Sequence, residues 1–128
     1  MMKSPGGSIY PYPYKGGEIH CLKYGSKYTN EAALFELMQQ EEVFILQTNR
    51  KLKIWVDLYH TVITKKVLSE LVIHLKHLEN RIVKISFVGL SVFNQWRLER
   101  QMKRSGVQLV ISFYADPEEA KSWLVSEN

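Results

Sequence analysis

The chain has 128 residues, of which 45% are hydrophobic, and this composition suits one packed domain and argues against a disordered chain. The formal net charge of +4 favours anionic partners weakly, but the basic residues are spread along the chain, which argues against nucleic acid as the partner. A single cysteine, no apolar run near the ~20 residues of a membrane span and no signal-peptide core together predict a cytoplasmic protein without a transmembrane segment.

The first 17 residues differ in composition from the rest of the chain. They hold three of the four prolines and four of the seven glycines, and their tyrosines at 10, 12 and 14 alternate with prolines. Because a residue before proline is pushed out of the helical region, we expect residues 1–17 to be an irregular arm. The tyrosines either bind a partner or pack onto the domain formed by residues 18–128.

Strands and helices are predicted to alternate four times along residues 18–128. Each strand has β-branched and aromatic residues, and each following segment has apolar residues at helical spacing. Such alternation predicts a single α/β domain with a mostly parallel four- to five-stranded sheet and flanking helices. The predicted strands are Glu18–Tyr24, Leu52–Tyr59, Ile82–Val88 and Val107–Tyr114.

Two details of these elements are specific enough to be checked. In the first strand, Ile19 and Cys21 are expected to point inward, and His20 and Lys23 outward. In the third helix, residues 92–104, we expect positions 93 and 96 (Phe and Trp) to face the core.

A binding site is expected where the parallel strands end. Ligands of open parallel sheets bind beyond the carboxyl ends of the strands, and the helix amino termini nearby favour an anion. The predicted site takes a small apolar or anionic ligand, or a protein partner. Its residues are Asp57, Tyr59, His60, Thr61, Thr64, Ser91, Asn94 and Tyr114. The alternative is that Thr64, Ser91 and Asp116 only cap helices.

No enzyme motif was found, and the chain is therefore predicted not to be an enzyme. The glycine-rich nucleotide-binding and nucleophile-elbow patterns are absent, so no cofactor is predicted. Asp57 ends the central strand as the phospho-acceptor of a receiver domain does, but the acidic pair and lysine of a receiver are missing. The alternative is a small enzyme with His60 as general base.

Two other patterns were weighed as sites. His74 and His77 lie three residues apart on one predicted helix, at or near its solvent side, but no carboxylate or cysteine cluster accompanies them, so no metal site is predicted. The third helix carries basic residues on one side, which form either a solvated face or a surface for an acidic partner or nucleic acid. These residues are Arg97, Arg100, Lys103 and Arg104.

Four segments resemble the STAS domain family (sulfate transporter and anti-sigma-factor antagonist), in particular its SpoIIAA-like branch. They are Lys53–Leu58, Val83–Gly89, Phe113–Tyr114 and the closing helix Glu118–Leu124, which is the most distinctive. Residues 18–124 follow the element order of the family, whereas the arm does not.

The resemblance implies a non-catalytic regulatory domain that acts by protein–protein interaction or by binding a small ligand. In the switch proteins of the family, a phosphorylated serine follows an aspartate at the start of the helix after the central strand. This chain has no Asp-Ser pair there, so Thr61 and Thr64 are the phospho-acceptors that could replace it. The sequence leaves open whether the chain forms a homodimer.

Overall fold

The computed structural model describes residues 2–27 and 29–126. Met1, Tyr28 and residues 127–128, which fall within the predicted arm and domain, lie outside the described residues. The strands are β1 (Met2–Lys3), β2 (Ile9–Tyr10), β3 (Tyr12–Tyr14), β4 (Gly17–Lys23), β5 (Leu52–Asp57), β6 (Ile82–Val88) and β7 (Ile111–Tyr114). The helices are α1 (Glu31–Thr48), α2 (Lys65–Leu78), α3 (Val92–Arg104) and α4 (Pro117–Val125), with a short 3₁₀ helix at Glu79–Arg81.

The main sheet has five strands in the order β3-β4-β5-β6-β7, which is also their order along the chain. The strands β4 to β7 pair in parallel, and β3 is antiparallel to β4. The prediction of one α/β domain with a mostly parallel sheet is therefore confirmed. The last predicted strand, Val107–Tyr114, corresponds to β7 and is shorter than expected, because regular pairing begins only at Ile111.

Each helix begins where a short polar side chain accepts a hydrogen bond from the first turn. Such a bond satisfies one of the amide groups that have no partner within the helix. The caps are Asn30 (from the amide of Ala33, 3.2 Å), Thr64 (from Val67, 3.1 Å), Ser91 (from Asn94, 3.1 Å) and Asp116 (from Glu118, 3.0 Å).

Both faces of the sheet are covered, but by different numbers of helices. On one face, α1, α2 and α3 pack in a single cluster on alternate strand residues such as Leu22, Ile54 and Phe87. On the other face, α4 packs Ala120 and Leu124 against a smaller set of residues. That set is Ile19, Cys21, Trp55 and Val88. No helix among the described residues has the length and apolar character needed to cross a membrane.

The first parallel strand differs in part from its predicted pattern. Ile19 and Cys21 are buried beneath α4, as expected, and Lys23 is exposed. His20, expected to face solvent, is fully buried on the opposite face, since α1 and the amino-terminal hairpin cover it. An inner strand of a sheet that is covered on both faces buries the side chains that point to either face.

The amino-terminal arm contains regular structure where an irregular segment was expected. The strands β1 and β2 form a small antiparallel hairpin, and β3 is the edge strand of the main sheet. The arm is ordered because Tyr12 and Tyr14 pack on the apolar face of the sheet that α4 also covers.

A buried carboxylate holds the small hairpin against the domain. Glu41 of α1 has no exposed surface, and its Oε2 accepts hydrogen bonds from the Ser4 hydroxyl at 2.8 Å and the Gly6 amide at 2.9 Å. Its Oε1 lies 3.1 Å from Nε2 of the equally buried His20. Burying a carboxylate is costly unless it is paired and hydrogen-bonded, and these three contacts offset that cost.

We predict that Gly89→Ala destabilises the protein by more than about 3 kcal/mol, because a positive φ and a steric clash combine there. Gly89 has a φ of +90°, and an added Cβ would lie 2.6 Å from the backbone nitrogen of Tyr59. Gly16, with a φ of +84° and no atom within 4 Å of the added Cβ, is the matched control. Its alanine variant should lose only about 1–2 kcal/mol. Equal losses in urea denaturation would contradict the close packing of Gly89.

Candidate functional sites

The three loops that follow the parallel strands meet along one edge of the sheet. The hydroxyl of Tyr59 donates a hydrogen bond to the carbonyl of Ala115, which joins the first and third loops. The amide of Leu58 donates to the carbonyl of Val88 at 3.0 Å, and the adjacent Gly89 packs on the backbone of residues 58–59. The parallel sheet therefore brings together the segments in which the binding residues were predicted.

We call the edge where these three loops meet the rim. The polar side chains of its first loop, which follows β5, hydrogen-bond to nearby backbone and side-chain groups. The Oδ1 of Asp57 accepts from the amide of Tyr59 at 3.0 Å, and the Thr61 hydroxyl donates to the carbonyl of Tyr24 at 3.0 Å. The Thr64 hydroxyl donates to Glu31 at 2.6 Å while it caps α2. The contacts of Asp57, Thr61 and Thr64 thus fix the loop between β5 and α2.

The remaining predicted rim residues make similar local contacts. Ser91 caps α3, and the Oδ1 of Asn94 accepts a hydrogen bond from Arg97 at 2.9 Å. The ring of Tyr114 lies 6.4 Å from that of Trp123 in α4. His60 is exposed, has a φ of +56° and lies with its ring centre 6.4 Å from that of Tyr59. Among the predicted rim residues, His60 and Ser91 are exposed, whereas the others are partly buried.

A second candidate site is the outer face of α3, which we call the aromatic–basic face. It consists of Val92, Phe93, Trp96, Arg97, Arg100, Lys103 and Arg104. The expectation that Phe93 and Trp96 face the core is wrong, since their exposed fractions are 65% and 54%. The core side of α3 is formed by Leu98 and Met102 instead.

The rings and guanidinium groups of this face are stacked on one another. The ring centres of Phe93 and Trp96 are 6.3 Å apart with an interplanar angle of 26°. The guanidinium of Arg97 lies 5.6 Å from the ring centre of Phe93, and that of Arg100 lies 5.2 Å from the ring centre of Trp96. Cation–π contacts of this kind hold the arginine side chains in place while their charges stay available.

Two shallow grooves share Trp96, Arg100 and Arg104. One, of about 490 Å³, lies along the outside of α3 beside Val92 and Lys103. The other, of about 330 Å³, lies between α3 and α2 and is lined by further residues that include Lys65 and Leu68. Within residues 2–27 and 29–126, the charged groups of Arg100, Lys103 and Arg104 make no ion pair. Glu99 also lines the outer groove, so the face combines exposed apolar surface with an excess of positive charge.

The sequence contained one signal that would have placed this face correctly. Leu98 and Met102 are four residues apart and define the buried side of α3, whereas positions 93, 96, 97 and 100 fall on the opposite side. Large aromatic residues were assigned to the core on hydrophobicity alone. Their interleaving with arginines at helical spacing indicated a solvent-facing surface.

The two histidines of α2 have a carboxylate partner that sequence spacing did not show. The Nδ1 atoms of His74 and His77 each lie 3.1 Å from an oxygen of Glu42 in α1. His74, expected near solvent, is buried, and its Nε2 lies 2.7 Å from the hydroxyl of Tyr24. Burial raises the pKa of Tyr24 well above its ordinary value, so this hydroxyl stays protonated.

These contacts tie α1 to α2 and the first parallel strand. Among the described residues, no group of three or more histidine, cysteine, aspartate or glutamate side chains is placed to hold a metal ion. Cys21 is buried beneath α4, and burial raises the pKa of its thiol. A raised pKa disfavours the thiolate, which is the reactive form.

Comparison with known proteins returned no relative, since no family model, curated protein or solved structure matches this chain.

We predict that Glu42→Gln removes a pH-dependent part of the stability. The hydrogen bond from His74 and the two nearby imidazoles lower the pKa of Glu42 below its ordinary value of 4.5. A lowered pKa in the folded state stabilises the protein above the ordinary value, and this contribution is lost as pH falls through the lowered pKa. The wild type should thus exceed Glu42→Gln in urea stability at pH 6, and the difference should shrink towards pH 3. The exposed Glu36→Gln on the same helix is the control, and a difference independent of pH would refute the pairing.

Proposed function

We propose that this chain is a non-catalytic regulatory domain that binds an acidic protein segment on the aromatic–basic face of α3. The observation that carries this proposal is the exposure of Phe93 and Trp96 beside Arg97 and Arg100, which form no ion pair with a carboxylate of the described residues. Tryptophan and arginine are the residues that contribute most binding energy in protein interfaces. The resemblance to the STAS family supports the regulatory role, and a cytoplasmic location is part of the same proposal.

The choice of the aromatic–basic face over the rim rests on how their polar groups are used. At the rim, the side chains of Asp57, Thr61 and Thr64 form hydrogen bonds with other groups of the protein. Phosphorylation of Thr61 or Thr64 would break the bonds that hold the first loop. On α3, Arg97 likewise donates to Ile63 and Asn94. By contrast, Arg100, Lys103 and Arg104 and the two aromatic rings are exposed. The proposal therefore includes neither a phospho-switch nor a catalytic role for His60.

The mixture of chemistries on α3 favours a protein partner over a nucleic acid. Val92 is 80% exposed and lies beside Phe93 and Trp96, so a large part of the surface is apolar. An acidic segment with apolar side chains would bury this surface and place carboxylates near Arg100 and Arg104, where bidentate bonds are possible. A nucleic acid would neutralise the charges but leave Val92 uncovered.

The test uses two synthetic peptides of equal negative charge, one of glutamate and leucine in an amphipathic pattern and one of glutamate and serine. The Glu–Leu peptide should bind with an affinity that falls as salt is raised, because part of the attraction is between charges. The double variant Trp96→Ala, Arg100→Ala should weaken binding by about tenfold or more, as loss of two interface residues of this type does. Binding is measured by NMR shifts of α3 amides.

The matched control is Val43→Ala, Lys3→Ala, which removes an exposed apolar residue of α1 and an exposed basic residue of β1. It should bind the Glu–Leu peptide as the wild type does. Equal binding of the Glu–Ser peptide would contradict the role of the aromatic rings. If duplex DNA or phosphatidylserine vesicles bind more tightly than the Glu–Leu peptide, the partner is a nucleic acid or a membrane and not an acidic protein segment. If the wild type self-associates and the double variant does not, the face is a homodimer interface.

A further inference from the structure

The two end strands of the main sheet are β3 and β7, and the outer edge of β3 is blocked by a proline. Lys15 and Gly16, both with positive φ, join Tyr14 to Gly17 in a two-residue hairpin. In such a hairpin Tyr14 and Gly17 hydrogen-bond to each other, so the backbone groups of the preceding Pro13 point away from β4. Because proline has no amide hydrogen, the middle residue of this edge cannot donate to a further strand.

The outer edge of β7, by contrast, has free backbone groups. The amide of Ile85 in β6 donates to the carbonyl of Val110 at 2.9 Å, and Ile85 lies opposite Ile111 in the register. Backbone groups of successive residues in a strand point to opposite sides, so those of Ile111 and Phe113 point away from β6. No strand of the described residues lies on that side. Two amides and two carbonyls therefore face outward without a partner strand.

This edge also lacks the features by which natural proteins protect edge strands. Such edges usually carry a charged residue, a proline or a β-bulge, because an open edge accepts a further strand. Residues 107–114 contain no charged residue and no proline, and the pairing of β6 with β7 has no register shift. Val110 is 58% exposed, and Ile111 and Phe113 are only partly buried. A strand added at this edge would cover that apolar surface.

Charge and the blocked edge of β3 favour a second copy of this chain as the occupant. Two copies with a net charge of +4 repel each other, but residues 107–114 place no like charges opposite one another when two such strands meet. Pairing of β7 with β3 of another copy would build an open filament, and Pro13 opposes it. Pairing of β7 with β7 uses the same edge of both copies and closes at two.

We propose that β7 pairs antiparallel with β7 of a second copy, about a two-fold axis at Ser112. Ile111 of each copy then lies opposite Phe113 of the other, and four backbone hydrogen bonds satisfy all the outward-facing groups of these residues. The two five-stranded sheets become one sheet of ten strands, a size that open sheets reach. The axis is perpendicular to the sheet, so α3 of both copies lies on the same side. Use of both aromatic–basic faces by one acidic partner rests on the proposed function, whereas the dimer itself does not.

The first test is sedimentation equilibrium of the whole chain up to millimolar concentration, where the wild type should form dimers and no larger species. Val110→Lys adds a charge to the edge at an exposed position, and it should raise the dimer dissociation constant about tenfold or more. The matched control is Val43→Lys, which adds the same charge at a half-exposed valine of α1. It should dimerise as the wild type does.

The second test locates the two-fold axis by disulfide cross-linking. At the axis, Ser112 of one copy faces Ser112 of the other in a pair without mutual hydrogen bonds, whose Cα atoms are about 4.5 Å apart. A disulfide spans that distance, so Ser112→Cys should form a cross-linked dimer on air oxidation. Gln108→Cys, at an exposed position in the same segment, is the control. Its two copies would lie about 27 Å apart, since eight residues separate them along the strands. The native Cys21 is buried and should not compete.

The result expected is a dimer that Val110→Lys weakens and that Ser112→Cys traps. A chain that stays monomeric at every concentration, equal weakening by Val43→Lys, or equal cross-linking of Gln108→Cys would each overturn the proposal. The double variant Trp96→Ala, Arg100→Ala should dimerise as the wild type does, and loss of its dimer would place the interface on α3 instead. Because peptide binding is measured separately, either proposal can fail without the other.

Discussion

Parallel pairing of neighbouring strands in chain order is the constraint on which the rest of the molecule depends. When β4, β5, β6 and β7 follow one another across the sheet, connections of one hand place α1, α2 and α3 on the same face. The second face is then left to α4 and the tyrosines of β3. The positions of the rim and of the outer face of α3 both follow from this arrangement.

The order of elements and their starting points could be predicted from the sequence because both depend on local chemistry. Strand and helix periodicity located every parallel strand, and side chains such as Thr64 and Asp116 cap helices where they were expected to. The direction of single side chains could not be predicted in the same way. His20 and Trp96 show why, since one is buried by a segment distant in sequence and the other is exposed although it is large and apolar.

The same distinction applies to the candidate sites: the position of a site could be predicted from the order of the elements, whereas the contacts of its side chains could not. The gathering of three loops at one rim follows from parallel pairing, and the sequence predicted it. The hydrogen bond from Thr61 to the backbone after β4 and the contacts of Glu42 with two histidines of α2 join elements that are distant in the sequence. Residue spacing within one element does not predict such contacts.

The contacts between β3 and α4 bring the early and late parts of the described chain together. The hydroxyl of Tyr14 donates to Glu118 at 2.5 Å, and the ammonium of Lys15 donates to Ser122 at 3.0 Å. The ammonium of Lys121 lies within 6 Å of the ring centres of Tyr12, Tyr14 and Trp55. The sheet face above Cys21 is thus closed by two segments that depend on each other. Loosening either one exposes the same apolar surface, so the two should open and close as one cooperative unit.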